Sequence, residues 1–176
     1  MMKVYAIRHG LTELNKKGII NGNLDDTLAS EGIEQAKEVA STLPKTIKYM
    51  YSSSLGRARE TAQILNNELD VPLTFRDELK EVDFGVLNGT PYFEELKEKH
   101  SLLNYDWRPS GECFEDVKKR TLKILEEIKN RHEDEEVLIV GHGGTIRMMH
   151  LLETGELLGE IKNVSVHSFD LDKIFK

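Results

Sequence analysis

The segment Glu136–Gly144, EVLIVGHGG, constrains this chain most. Four consecutive apolar residues, Val137 to Val140, run into a turn bounded by glycines. A short unbroken apolar run of this kind predicts a strand buried on both faces, which places it inside a sheet flanked by helices. A second run, Lys3–Ile7 (KVYAI), reads as another strand and stops at Arg8-His9-Gly10. The two therefore end alike, one at Arg8-His9-Gly10 and one at Gly141-His142-Gly143-Gly144. Each puts a histidine at a strand's carboxyl end, just before a turn into helix. In open α/β sheets ligands lie outside those ends.

The remaining segments alternate in the same way. Ser30–Leu43 carries Ile33, Ala36, Ala40 and Leu43 at helical spacing, with Ser30 as N-cap and Pro44 as stop. Ile47–Ser52 predicts a strand. The segment after it is helical, with Ala58, Ala62, Leu65 and Leu69 along one stripe and Ser54 as its cap. Val71–Phe75 predicts a short edge strand, because Pro72 cannot donate to a ladder. The stretch Asp77–Ser110 is less regular, with a short helix expected around Tyr92–His100. Cys113–Arg131 is a long amphipathic helix with Phe114, Val117, Thr121, Ile124 and Ile128 on one face. A helix follows from Thr145, and Lys162–Leu171 closes as a last strand. Strands alternating with helices predict a three-layer α/β/α sandwich with a mostly parallel central sheet, in one domain spanning residues 1–176.

Composition narrows the function. With 24 Lys+Arg against 31 Asp+Glu, the formal net charge is -7. An acidic chain argues against nonspecific nucleic-acid or membrane-surface binding, yet leaves room for a locally positive pocket. The single cysteine, Cys113, excludes an intrachain disulfide and a cysteine-rich zinc site. No apolar run approaches the ~20 residues of a membrane span, and Val4–Ile7 is too short for a signal-peptide core. A cytoplasmic enzyme-sized domain is expected. No histidine pair falls at i,i+4 spacing, so no metal site is expected.

Arg57 lies at the start of the helix after the second strand. A helix N-terminus offers unpaired N–H groups and partial positive charge. With Arg8 and His142 nearby it would make an anion site, and arginine's planar fork suits a phosphate or a carboxylate. A phosphate site holding two histidines suggests covalent phosphoryl transfer, since neutral imidazole is a competent nucleophile. The leaving alcohol then needs a proton, and Glu81, on an irregular loop, is the candidate donor.

Five ordered segments carry a family resemblance: RHGLTELN, NGNLDDTLASEGIEQA, SSSLGRARETA, LKEVDFGVLNG and GHGGTIRMM. Together they resemble the histidine phosphatase superfamily, the phosphoglycerate-mutase-like group. The resemblance implies that His9 becomes phosphohistidine and that Arg8, Arg57 and His142 hold the phosphoryl oxygens. It implies that Glu81 protonates the leaving oxygen, and that Asn15, Asn21, Gly22 and the Gly143 backbone line the pocket. No metal or other cofactor is implied, and the partner is a small phosphorylated substrate.

Within that resemblance a phosphatase is favoured over a cofactor-dependent phosphoglycerate mutase. Val82-Asp83-Phe84 follow Glu81 where the mutases carry a basic residue and a tyrosine, Gly89–Cys113 is short, and Leu11 replaces a Glu. An α-ribazole phosphatase and a broad-specificity phosphatase are specific forms of that reading. A non-catalytic phosphate-ligand binding protein ranks last, because every polar position of the mechanism is filled by a competent residue. Tyr92, Phe93, Tyr105 and Trp107 are expected to form a small cap core or to touch a ring-bearing leaving group. Arg147 is expected to be structural, Arg59 a surface charge, and His100, His132, His150 and His167 solvated or packing residues.

Overall fold

A computed structural model describes residues 2–93 and 104–176. The strands are β1 (Lys3–Arg8), β2 (Ile47–Ser53), β3 (Leu73–Arg76), β4 (Glu136–Gly141) and β5 (Val166–Asp170). The helices are α1 (Glu13–Lys16), α2 (Ser30–Ala40), α3 (Gly56–Leu69), α4 (Phe114–Arg131), α5 (Gly143–Thr154) and α6 (Leu171–Ile174). The strands form one sheet in the order β3-β2-β4-β1-β5. All neighbours are parallel except β5, which runs antiparallel to β1.

The two central strands explain the apolar run. On β4, Val137 and Ile139 face one side of the sheet and Leu138 and Val140 the other, and on β1 Val4 and Ala6 alternate with Tyr5 and Ile7. One face is covered by Ile124, Leu125 and Ile128 of α4, Ile146 and Met149 of α5, and Leu171 of α6. The other is covered by Ala40 of α2 and by Ala58, Ala62 and Leu65 of α3. Both faces of each strand are thus removed from water, which is the three-layer sandwich that the sequence predicts.

The chain leaves β1 through α2 toward β2, and leaves β4 through α5 toward β5. The two connections depart from neighbouring strands to opposite faces, which opens a crevice between the ends of β1 and β4. Parallel register sets Arg8 opposite Gly141, and the His9 N–H donates to the Gly141 carbonyl at 3.0 Å. The two histidines are therefore side by side at one end of the sheet.

Several boundaries differ from expectation. Ser30 is the first residue of α2 rather than its cap, and Ala29 occupies the N-cap position without a side-chain bond. The cap of α3 is Leu55, not Ser54, whose hydroxyl instead bonds Asp77. The Gly56 N–H is satisfied from outside, by Asp25 Oδ1 at 2.6 Å. Helix α5 begins at Gly143, two residues before Thr145. The last strand is shorter than Lys162–Leu171, because Val164 takes φ +51° and Ser165 N bonds back to Lys162 O, making a turn there. On α2 the fully buried positions are Gly32, Ala36 and Ala40, with Ile33 at the margin. Gly32 sits against the Leu11 carbonyl so closely that a Cβ would collide with it. The helix expected at Tyr92–His100 falls mostly outside the described residues; Tyr92 and Phe93 are irregular.

Candidate active site

His9 follows β1 and is 2% exposed. Its Nδ1 lies 2.7 Å from the Gly10 carbonyl oxygen, which can only accept, so Nδ1 carries the proton. Nε2 then holds the lone pair, and Arg57 Nε donates toward it at 3.3 Å. Burial, followed by the charges of Arg57 and Arg8, holds His9 well below the usual imidazole range. The ring is neutral at pH 7, the form a nucleophile needs.

Arg57 is fully buried on α3. Nη1 donates to the Leu24 carbonyl at 2.8 Å and to Asp26 Oδ1 at 2.7 Å, and Nη2 donates to the Gly22 carbonyl at 2.7 Å. The Asp26 pairing and the two carbonyls compensate the buried charge and fix the plane of the guanidinium. Gly22 has φ +47°, and a Cβ there would strike the Asn88 side chain. The turn that presents its carbonyl to Arg57 therefore favours glycine.

His142 is the N-cap of α5 and fully buried. Its ring centroid lies 5.2 Å from that of His9, with the planes tilted by 56°. Nε2 contacts Ser53 Oγ at 2.8 Å, while Nδ1 is buried with no partner. Burial, then Arg57, lowers its pKa well below the usual range. Arg8 donates through Nη1 to the Ile161 carbonyl at 2.5 Å, and its buried Nε also lacks a partner. Two polar atoms left unpaired at neighbouring strand ends fit an incoming anion, since buried polar groups are otherwise paired.

Glu81 approaches from the loop before α4. Its Oε1 accepts from the N–H groups of Val82 at 2.9 Å and Gly144 at 3.1 Å. It thereby seats on the N-terminal turn of α5. A Cβ on Gly144 would collide with Oε1, so the second glycine after His142 makes room for the carboxylate. The Glu81 loop is held from below by Arg120 of α4, which donates to the carbonyls of Glu78 (2.8 Å), Lys80 (2.7 Å) and Glu81 (3.2 Å) and pairs with Glu112 at 2.7 Å.

Asn15 is set by Thr12, which caps α1 in a reciprocal pair of bonds. Asn15 Nδ2 donates to Asn21 Oδ1 at 2.8 Å, and Asn21 Nδ2 donates to Asp26 Oδ2 at 2.5 Å. A polar chain thus runs from Asn15 through Asp26 to Arg57.

A cavity of about 610 Å³ opens here. Arg8, His9, Asn15, Asn21, Gly22, Arg57, Glu81 and Gly143 all line it, and His142, its ring 5.2 Å from that of His9, is next to this lining. Three further residues stand at or beside the site. Arg147, expected to be structural, lines the cavity and donates Nε to the Gly159 carbonyl at 3.1 Å. Asn163 also lines it and donates Nδ2 to the His9 carbonyl at 2.9 Å. Arg120 supports the Glu81 loop. No local motif marks Asn163, which arrives from the loop before β5; the turn residues around it were the available signal. Arg59 packs over the Phe75 ring at 4.9 Å, away from the site. His132 stacks on Tyr49 at 3.9 Å, remote from the cavity lining. Among the described residues no group of three or more His, Cys, Asp or Glu side chains is disposed to hold a metal ion. Among them, too, no helix is long and apolar enough to cross a membrane.

The phosphoglycerate mutase-like protein 4 of Arabidopsis thaliana is 34% identical, covering 96% of this chain and 79% of its own. The metal-independent phosphoserine phosphatase of Arabidopsis thaliana is 32% identical over 94% and 74%. The fold superposes on a mycobacterial glucosyl-3-phosphoglycerate phosphatase with a TM-score of 0.88, at 24% identity and with 96% and 92% of the two chains covered. Residues 4–173 match branch 1 of the histidine phosphatase superfamily, and this chain is a member of that family.

Proposed function

We propose that the protein hydrolyses small phosphomonoesters through a covalent intermediate on His9. The His9 Nε2 lone pair attacks phosphorus, and the bond from phosphorus to the leaving oxygen breaks. Protonated Glu81 gives that oxygen its proton, so the product leaves as a neutral alcohol. Water then attacks the phosphohistidine and gives a proton to the Glu81 carboxylate. The P–N bond breaks, releasing inorganic phosphate and restoring His9 and protonated Glu81. Arg8, Arg57 and His142 hold the phosphoryl oxygens, and the two guanidiniums neutralise the charge that spreads over them. Asn15, Asn21, Gly22 and the Gly143 backbone shape the phosphate end.

One observation carries this reading. His9 presents a neutral Nε2 whose orientation is set by the Gly10 carbonyl and Arg57, beside the unpaired polar atoms Arg8 Nε and His142 Nδ1. The cations supply the charge neutralisation for which phosphoryl-transfer enzymes otherwise use a divalent ion, and one relative is itself named metal-independent. A mutase would hold a second anionic group in its substrate. Among the described residues, beyond Arg8 and Arg57 the charged side chains lining the cavity, apart from Glu81, are Arg147 and Glu160, of opposite sign. That balance favours water as the second acceptor.

Phosphate release from a panel of phosphomonoesters including 3-phosphoglycerate, with chelator throughout, tests the proposal. Release that survives chelation and is lost in His9→Ala, with circular dichroism unchanged, is expected. Interconversion of 2- and 3-phosphoglycerate without release would make the protein a mutase, and wild-type turnover by His9→Ala would overturn the covalent route.

A further inference from the structure

Three neighbouring strands end at the site, and one of them brings a buried serine to the second histidine. In the order β2-β4-β1, Ser53 is the last residue of β2, His142 follows β4 and His9 follows β1. Parallel register sets Ser52 opposite Val140, so β2 and β4 run out side by side. Tyr51 packs with Ile146 and Met149 of α5, and Ser53, two residues on, points to that same face.

Ser53 is fully buried, and a buried hydroxyl needs partners. The Leu55 N–H donates to its Oγ at 3.3 Å, and His142 Nε2 lies 2.8 Å from it. Among the described residues Ser53 Oγ has no other hydrogen-bond partner. A proton on Nε2 would leave the hydroxyl hydrogen buried with no acceptor. The hydroxyl therefore donates, and Nε2 holds a lone pair.

Burial, then the charge of Arg57, holds His142 well below the usual imidazole range, so its ring carries one proton. With Nε2 bare, that proton sits on Nδ1, the buried atom without a partner. His9 has the same tautomer, fixed by the Gly10 carbonyl on its Nδ1. The two rings nonetheless leave unlike atoms for a ligand. His9 keeps a lone pair at Nε2, and His142 keeps an N–H at Nδ1.

We infer that Ser53 is a positioning residue whose hydroxyl holds His142 in the Nδ1–H tautomer, so that the second histidine meets the phosphoryl group as a neutral hydrogen-bond donor. The other tautomer would turn a lone pair on the phosphoryl oxygens and repel them. The inference rests on the phosphoryl-transfer reading above and assigns the means by which His142 serves it.

Nitrogen-15 spectra of histidine-labelled protein test the tautomer directly, because protonated and bare ring nitrogens resonate far apart. The signals missing from His142→Gln identify His142. At pH 7.5 the wild-type ring should show a protonated Nδ1 and a bare Nε2, and added inorganic phosphate should shift the Nδ1 signal. In Ser53→Ala, with circular dichroism unchanged, protonation should move in part to Nε2. Its kcat with nitrophenyl phosphate should fall by about 10- to 10²-fold, the scale known for outer partners of metal-bound imidazoles. In a His142→Gln background the same substitution should change kcat by less than about twofold, since Ser53 acts through that ring. An Nε2–H tautomer in the wild type overturns the inference. So does an equal loss from Ser53→Ala with and without His142, because the effect would then run through Leu55 and α3. A phosphate-dependent shift at Nδ1–H without hydrolysis of any ester would overturn the hydrolytic reading and leave the role of Ser53 standing.

Discussion

Arg57 Nε points at His9 Nε2 from 3.3 Å, while its other two nitrogens are committed to Asp26 and to the carbonyls of Gly22 and Leu24. One side chain therefore orients the His9 imidazole, the nucleophile of the proposed reaction, and sets positive charge beside it. Lysine keeps the charge but has a single nitrogen, which cannot reproduce this fork. Arg57→Lys is expected to lower kcat by about 10²–10³, the scale of losing one transition-state donor. Steady-state kinetics check this; a loss confined to KM would reduce Arg57 to a binding residue.

Glu81 and Gly144 form a second such pair. Glu81→Gln removes the proton donor, so turnover of alkyl phosphates should fall by about 10²-fold or more, within the usual range for acid catalysis. Nitrophenyl phosphate, whose leaving group needs no proton, should fall far less. Gly144→Ala should reproduce that pattern, because its Cβ would displace Oε1. Equal losses for both ester types in both variants would remove Glu81 from the acid role.

Stability should depend on pH through the two buried imidazoles. Both are held below the ordinary value of 6.5 in the folded protein, so between those lowered values and 6.5 the unfolded chain binds more protons. Their contribution is complete above pH 6.5 and is lost as pH falls below it. The slope is at most about 1.4 kcal/mol per pH unit for each histidine. Urea midpoints measured from pH 7.5 to 5.5 should therefore fall, and His142→Gln should flatten the fall. A midpoint independent of pH in this window would contradict the burial argument.

Arg120 holds the Glu81 loop by its backbone. Arg120→Lys forfeits several charged hydrogen bonds to the carbonyls of Glu78, Lys80 and Glu81. A stability loss of about 1.5–3 kcal/mol is expected. The loosened loop should also slow alkyl esters more than nitrophenyl phosphate. A purely structural arginine would lower the denaturation midpoint without changing that ratio.

Local patterns made much of this visible. The run Val137–Val140 announced a strand covered on both faces, and the two histidine turns announced the strand ends that the sheet brings together. The edge strand and the long helix after Cys113 also lie where Pro72 and the apolar stripe of Phe114–Ile128 put them. What escaped were relations between distant segments. Asp25 caps α3 from another loop, so Ser54, the locally obvious cap, is released to bond Asp77. Arg147 faces the cavity because α5 starts at Gly143 and turns that side of the helix toward the loop at Gly159. The aromatic segment divides: Trp107 packs against Phe84, with ring centroids 5.7 Å apart, whereas Tyr92 and Tyr105 reach the cavity. Such a split depends on packing and leaves no periodic trace.

The parallel register of β1 against β4 has a consequence for how this protein is made. His9 is synthesised well before His142. Because their strands are direct neighbours, no partly synthesised chain lacking β4 can present both. Pairing of such remote segments is slow to nucleate, and here it is the same event that sets the two histidines side by side.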